Sequence, residues 1–449
     1  VKSHRSRSSN PESTHLLVNP FRLRFVQKAL VAIVDQGTLS AINFITSLVA
    51  AWMLPKAHFG AYGFGLSLVF FAQTIQHALL GESQEVLTSS IGGERWKRMV
   101  GTMLFVEVLL LVAVVGIILL AAALWPHDPI PTVLLGSALF SATLLPHDFV
   151  RRILLARLQV GTTLGLSVSR FIAHFAVLGA LLWANELTLF TIYVAGSVGA
   201  AVASSIGGLR ALRGLGSYIR IHKEEMHDLW AFSRWIILKN LSRYILLNVG
   251  YWGVVWMQGF ESAAIYSAGY LIVAALYVVG TGLSSFFTPY FAKLFVERPH
   301  LFSKRILLSL VGWIVLFGPC TAAIILWPGL LLSLFYGDKF LDATTVAQVW
   351  GVVSTMGILT IFFDIVLKSM RRPQEAWAAQ LIAMIPPIFL LIPAINAFGV
   401  VGALLCVLVQ RVLLNLVMGW RVHRLISNHR NQSDNAHRLH ETPENENIT

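Results

Sequence analysis

Trp235-Ile-Ile-Leu-Lys239-Asn-Leu-Ser-Arg243-Tyr-Ile-Leu-Leu-Asn248-Val-Gly250-Tyr-Trp-Gly-Val-Val-Trp256 is the core of an apolar stretch, Phe232 to Met257, and it carries two cations. The stretch is long enough to cross a bilayer as a helix. Lys239 and Arg243 are four residues apart, so they share one helical face, with Gly250 two turns further along it. With entry near Ser233, Arg243 lies roughly 15 Å deep at ~1.5 Å rise per residue. A cation there needs protein, water or an anion beside it. One reading makes this helix the wall of an aqueous cavity that receives a negatively charged substrate. In the other, Lys239 snorkels to the surface and Arg243 pairs with a carboxylate inside the bundle.

The rest of the chain has the same character. Its 449 residues are 56% hydrophobic and only 12% charged, with a mean hydropathy of +0.69. Soluble domains carry about 25% charged residues, and apolar runs of about twenty residues recur here along most of the length. The net charge of +12 does not indicate nucleic acid, because its distribution is lopsided. Of 34 Lys and Arg, only Lys56 and Lys339 fall in segments assigned to the outside, the positive-inside pattern of a membrane protein. Both cysteines, Cys320 and Cys406, lie within apolar spans, so neither a disulfide framework nor a metal site is indicated. A basic tail before a long first span argues against a cleavable signal peptide.

Taken in order, hydropathy predicts an all-α polytopic protein of about twelve transmembrane helices in two six-helix lobes around a central cavity. The expected divisions are a cytoplasmic tail over 1–23, an N-terminal lobe over 24–209, a cytoplasmic linker over 210–229, a C-terminal lobe over 230–425 and a disordered tail over 426–449. In the first span Gln36, Ser40, Asn43 and Ser47 form a polar stripe beside Asp35, suited to cavity lining or to helix–helix hydrogen bonding. Gln73 and His77 mark a polar face in the second span, and His77 or Asp35 is a candidate for coupling to H+ or Na+. A structural histidine explains His77 as well. In the fifth span Arg170 and His174 share a face, making Arg170 a second candidate anion contact. Tyr266, Tyr270 and Tyr277 line one face of the eighth span, suited to carbohydrate or to helix packing.

Three short matches about 200 residues apart suggest a duplication. Trp52-Met53 with Tyr62 matches Trp256-Met257 with Tyr266 at the same interval, Leu124-Trp-Pro126 recurs as Leu326-Trp-Pro328, and Arg151-Arg152 recurs as Arg371-Arg372. Six spans per half leave the halves in the same orientation, related by an axis along the membrane normal.

The chain resembles the oligosaccharide flippases of polysaccharide biosynthesis, in the superfamily that also holds multidrug and toxin extrusion transporters. The residues behind this are Leu54-Pro-Lys-Ala-His-Phe-Gly60-Ala-Tyr62-Gly-Phe-Gly65, Leu334-Phe-Tyr-Gly-Asp-Lys-Phe340 and Gly399-Val-Val-Gly402-Ala-Leu. The resemblance covers about Arg24 to Leu425. It implies a transporter of the bacterial inner membrane with cytoplasmic termini, moving polyprenyl-diphosphate-linked glycans outward by alternating access. Polysaccharide assembly proteins are implied partners. The resemblance implies basic residues in the central cavity, and Arg170, Lys239 and Arg243 are the candidates for that role in this chain. Two further helices usual in the related peptidoglycan-precursor flippases do not follow the twelfth span, which favours an O-antigen or exopolysaccharide unit. The alternative is an ion-coupled antiporter of small organic cations, which would want carboxylates where these cations stand. No P-loop, zinc-ligand helix or nucleophile elbow is present, so neither an enzyme nor a cofactor is expected.

Overall fold

The computed structural model describes residues 20–88, 91–297, 299–370 and 372–441. The first half consists of α1 (Pro20–Met53), α2 (Lys56–Gln76), a π-helical turn (His77–Gly81) leading into the short α3 (Glu82–Leu87), α4 (Gly93–Leu124), α5 (Ile130–Ala156), α6 (Val160–Trp183) and α7 (Leu189–Ala211). The second half consists of α8 (Lys223–Glu297), α9 (Pro299–Leu326), the short α10 (Pro328–Tyr336), a 3-10 segment (Gly337–Ala343), α11 (Thr344–Ser369) and α12 (Pro373–Glu441). Helices prevail because in hydrocarbon each backbone group needs a partner within its own segment.

Nine helical stretches among the described residues are long and apolar enough to cross a membrane. Two of them hold two passes each, because α8 reverses at Gly259 (φ 81°) and α12 at Gly399 (φ 61°). Only glycine takes that backbone conformation without strain. Across the first reversal the Tyr251 and Tyr266 rings lie 5.3 Å apart. With α1 the passes number twelve, as hydropathy predicts.

Tryptophans mark one membrane boundary. Trp52, Trp125, Trp183, Trp256 and Trp327 all stand at helix ends on one face, with Trp183 and Trp256 89% and 92% exposed. The opposite face carries the arginine-rich helix ends, including Arg95, Arg98, Arg151, Arg152 and Arg210, and is here called the basic face.

The apolar cores show how the halves meet. The largest core joins both halves near the tryptophan face, combining Ala51, Phe59 and Tyr62 with Tyr251, Phe340 and Ala403. Near the basic face each half has its own core: Trp96, Met99 and Phe149 in the first, Phe291, Phe302 and Phe362 in the second. The two halves therefore share one apolar core at the tryptophan face, while near the basic face the cores divide and polar ties from α8 join the halves.

Gly60 explains part of the fusion. A Cβ there would overlap the carbonyl of Phe260 and come within 2.9 Å of the Ala264 nitrogen, so α2 and α8 touch backbone to backbone. Gly60 and Ala264 occupy matching places in the repeat that the sequence suggests. Gly60→Ala is expected to destabilise the protein by about 1–3 kcal/mol through overpacking. Gly165→Ala, where an added Cβ meets nothing, should be neutral or stabilising. Thermal unfolding of both purified variants checks this, and an unchanged Gly60→Ala midpoint would remove the close-contact role.

Three expected boundaries shift. The segment between lobes is shorter than 210–229, since α7 runs to Ala211 and α8 starts at Lys223. It is held against α4: Thr102 Oγ1 donates to the Arg220 carbonyl (3.3 Å) and accepts from the His222 amide (3.2 Å). Tyr218 donates its hydroxyl to Glu94, a bond that raises the phenol above its ordinary pKa. The C-terminal stretch expected to be disordered continues as helix to Glu441, while 442–449 lie outside the described residues. At the other end, helix begins at Pro20, within the expected tail, and residues 1–19 and Arg371 also lie outside the described residues.

Candidate functional site: charges inside the two lobes

Several of the deepest charged groups of the first lobe have partners. Asp35 of α1 accepts from Arg151 of α5 and, at 2.5 Å, from Ser167 of α6. Asp148 pairs with Arg152 (3.0 Å), which also reaches Glu85 (2.8 Å). Gln76 donates to Glu107 (2.8 Å) and to the Leu145 carbonyl (2.6 Å). Both oxygens of Asp35 are thus occupied, so it is not placed as an open site for a coupling cation. Arg151, of the Arg-Arg pair in the sequence repeat, is 7% exposed and belongs to this buried network.

Arg170 lies in the same region, 6% exposed. It has no hydrogen-bond or ion-pair partner among the described residues, and its Nε is enclosed without one. The charges of Asp148 and Arg151 act on it, and its helix packs on α1, α5 and α7. The structure therefore places Arg170 inside the first lobe rather than beside Arg243. Its neighbour His174 meets Thr46 Oγ1 at 2.7 Å. These two line a small pocket with Asn43, Tyr62 and Tyr193, with a volume of ≈ 20 Å³, room for about one water molecule.

On the lobe interface α8 lies antiparallel to α2. Tyr251 donates to the Gly60 carbonyl (2.9 Å), Tyr244 to the Ser67 carbonyl (2.7 Å) and Trp252 to Ser67 Oγ (2.8 Å). Nearer the basic face Ser233 meets Ser83 (2.8 Å) and Asn240 donates to Glu82 (2.8 Å). Lys239 and His77 both approach that Glu82 carboxylate at 3.9 Å. Lys239 is thus part of a tie between lobes, and Glu82 is the partner that spacing alone does not show. Gln73 is half-buried near the inner end of α2, and Asn43 is exposed on α1.

Arg243 differs from all of these. It is exposed and has no ion pair or hydrogen bond among the described residues. The structure also brings forward a residue not singled out from the sequence, Arg411 on the second arm of α12. It is half-buried, its Nε is enclosed without a partner, and its charge reaches the phenols of Tyr266, Tyr270 and Tyr277. The signal was present in the polar pair Gln410-Arg411 inside the apolar run Val400 to Met418. Tyr270 is exposed and packs its ring 5.1 Å from Trp350, while half-buried Tyr277 lies over Gly357.

The described bonds of α1 to the second half come from its half nearer the tryptophan face. The Phe44 ring meets Phe335 at 6.4 Å and Trp52 donates to the Phe335 carbonyl. Lys339 donates to the carbonyls of Ala51 (2.6 Å), Trp52 (3.2 Å) and Leu54, and Lys56 pairs with Asp342 at 2.6 Å. With the shared core, these bonds hold the two halves together at the tryptophan face, where two lysines cross between them.

Comparison with known structures follows this arrangement. The fold is similar to an inward-facing multidrug resistance MATE family transporter of the MOP superfamily, with a TM-score of 0.74 at 12% identity over 90% of this chain and 99% of that one. An outward-facing conformation of such a transporter matches with a TM-score of 0.62 at 11% identity over 90% and 96%. A MOP superfamily transporter from Pyrococcus furiosus, described as having a binding pocket of reverse polarity that suggests a different function, matches at 0.63 and 12% identity over 90% and 95%. No curated protein matches the sequence significantly. The model for the polysaccharide biosynthesis protein family matches residues 25–295, and with the twelve-pass, two-lobe transporter architecture the chain belongs to that family.

Proposed function

We propose that this membrane transporter is a flippase for polyprenyl-diphosphate-linked oligosaccharides, carrying them from the basic to the tryptophan face of a bacterial inner membrane. The positive-inside rule makes the basic face cytoplasmic. The observation that carries the reading is the imbalance of free charge. Among the described residues Arg243 stands exposed on a membrane pass without a counter-ion, whereas the buried carboxylates Asp35 and Asp148 are each paired with an arginine and Glu107 is enclosed inside the first lobe against Gln76. A site for organic cations needs the reverse, an unpaired carboxylate between the lobes, so the antiporter reading is disfavoured. Nothing in this mechanism calls for bond chemistry, and we read the protein as a transporter rather than an enzyme.

In this mechanism the diphosphate docks at Arg243, where reduced dielectric strengthens charge-assisted hydrogen bonds. The glycan occupies a cleft between the lobes and the prenyl chain stays in lipid. The lobes then rock about their fused end so that the cleft opens on the other face. Carrying about two negative charges outward would gain roughly 4–5 kcal/mol per 100 mV of membrane potential. The potential alone would therefore favour export without a proton or sodium ion at Asp35 or His77. Arg243→Ala is expected to abolish surface glycan export while the protein still reaches the membrane, with lipid-linked glycan accumulating on the cytoplasmic leaflet. Normal export by that variant would overturn the docking role, and a drug-resistance phenotype dependent on Arg243 would favour the antiporter.

A further inference from the structure

The segment that joins the two halves sorts its charges. Residues 212–234, from the end of α7 into the first turns of α8, carry three carboxylates and four arginines or lysines. Two of the carboxylates turn onto α4, Glu225 pairing with Arg98 at 2.9 Å and Asp228 with Arg95 at 3.4 Å, while Glu224 stays exposed. The four cations, Arg213, Arg220, Lys223 and Arg234, are all exposed, and none forms an ion pair among the described residues. Lys223, Trp230 and Arg234 follow at intervals of seven and four and so share one face of α8. Trp230 is 56% exposed on that face. The linker itself is pinned by its backbone, since Thr102 bonds the Arg220 carbonyl and the His222 amide, and the Tyr218 carbonyl lies against Gly101. Ile219 and Ile221, on either side of Arg220, are left 42% and 47% exposed.

The height of this surface follows from α4. Thr102 is 23 residues before Trp125, about 34 Å along the helix at ~1.5 Å per residue. With Trp125 at one edge of a hydrocarbon core about 30 Å thick, Thr102 and the linker bonded to it lie just past the other edge. On α8 the 21 residues from Trp235 to Trp256 give the same span, about 31 Å. Apolar side chains exposed at that level meet lipid, and cations beside them meet headgroups.

We propose that the linker and the start of α8 form a docking surface for anionic phospholipids of the leaflet at the basic face. Ile219, Ile221 and Trp230 enter the boundary between headgroups and acyl chains, and the four cations hold the phosphate groups around them. Charge complementarity decides the occupant. Zwitterionic lipid would cover the isoleucines but bring no net charge to the cations. An acidic soluble protein would match the cations but not apolar side chains standing at headgroup level. The surface is fastened to the first half, because Arg95, Arg98 and Thr102 all belong to α4 and Ser233 meets Ser83. Anionic lipid therefore holds the first half and the start of α8 to the leaflet as one body, against which the second half moves. This surface does not depend on what the transporter carries.

The test uses the purified full chain with two readouts. In nanodiscs, Ile221→Cys carries an environment-sensitive fluorophore in a background where exposed Cys320 is replaced by serine. Its emission should shift to shorter wavelength when phosphatidylglycerol replaces part of the phosphatidylcholine, and salt at about 1 M should reverse the shift. In neutral detergent, phosphatidylglycerol should raise the thermal unfolding midpoint at lower concentration than phosphatidylcholine does. Each cation near an anionic surface is worth about fivefold in binding. Changing Arg213, Arg220 and Lys223 together to Gln should therefore raise the phosphatidylglycerol required by about a hundredfold. Arg213→Lys with Arg220→Lys keeps the charge and should behave as wild type, which separates lost binding from misfolding. Lys304→Gln with Arg305→Gln removes two exposed cations from α9 in the second half and should leave both readouts unchanged. An equal loss in that variant would reduce the effect to general surface charge and overturn the proposal. Identical emission in the two lipid compositions would overturn it too. Stabilisation by poly-glutamate matching that by phosphatidylglycerol would assign the cations to an acidic protein and remove the lipid surface.

Discussion

Asp35→Ala is expected to destabilise the protein by about 3–5 kcal/mol, the cost of leaving a buried cation without its partner. Asp35 is 2% exposed and binds Arg151, itself 7% exposed, from across the first lobe. Removing the carboxylate strands that guanidinium in a region where Arg170 already lacks a partner among the described residues and Asp148 and Glu85 are left to balance Arg151, Arg152 and Arg170. The Ser167 hydroxyl loses its acceptor as well. Replacing both charges by apolar side chains of similar size, Asp35→Leu with Arg151→Met, should recover most of the loss, because a buried ion pair gains little over a well-packed apolar one. Thermal unfolding in detergent together with the amount of protein in the membrane measures both effects. A single variant as stable as wild type would show that Arg151 has another counter-ion or reaches water.

Lys339→Ala is expected to open the tryptophan face. Lys339 comes from the 3-10 segment of the second half and donates to three carbonyls at the C-terminal end of α1 and just past it. Those carbonyls are the ones a helix end leaves without an internal partner, and they carry the negative end of its dipole. Hydrogen bonds to a charged group contribute about 1.5–3 kcal/mol, so losing this set should shift the balance of states by tenfold or more. Lys56 and Asp342 cross the lobes in the other direction, but both are one-third to one-half exposed. Such a pair is worth about 0–1 kcal/mol, and Lys56→Ala should shift the balance fivefold at most. The readout is labelling of Phe44→Cys by a membrane-impermeant maleimide, in a background where exposed Cys320 is replaced by serine. Equal labelling with and without Lys339 would mean that the apolar core holds the closed end by itself.

Both lysines were legible in the sequence as the outside cations, but their role was not. A positive-inside count only records that Lys56 and Lys339 are exceptions. That each reaches across to the opposite lobe follows from the fused end of the bundle, which brings residues 51–56 against residues 335–342. The same limit applies to Arg151 and Lys239. Their charge and periodicity are local facts, while their partners Asp35 and Glu82 lie 116 and 157 residues away in the chain. Arg243 was legible because its own helix carries the whole argument: a cation two turns from Gly250, deep in an apolar run, with no carboxylate nearby in sequence. Arg170 satisfies the same rule and yet lies inside a lobe, since depth in the membrane does not say which helices surround a residue.

The sequence by itself determined the number of passes and which of their ends carry the basic residues. It could do so because the bilayer acts on each segment separately, demanding an apolar run that satisfies its own backbone bonds and leaves basic residues on one side. Tertiary structure alone decided which charges are spent on one another, at which face the two halves share a core, and that Arg170 lies inside a lobe. Those outcomes depend on pairs of residues from distant passes, and a charge becomes available to a ligand only when packing has given it no partner of its own.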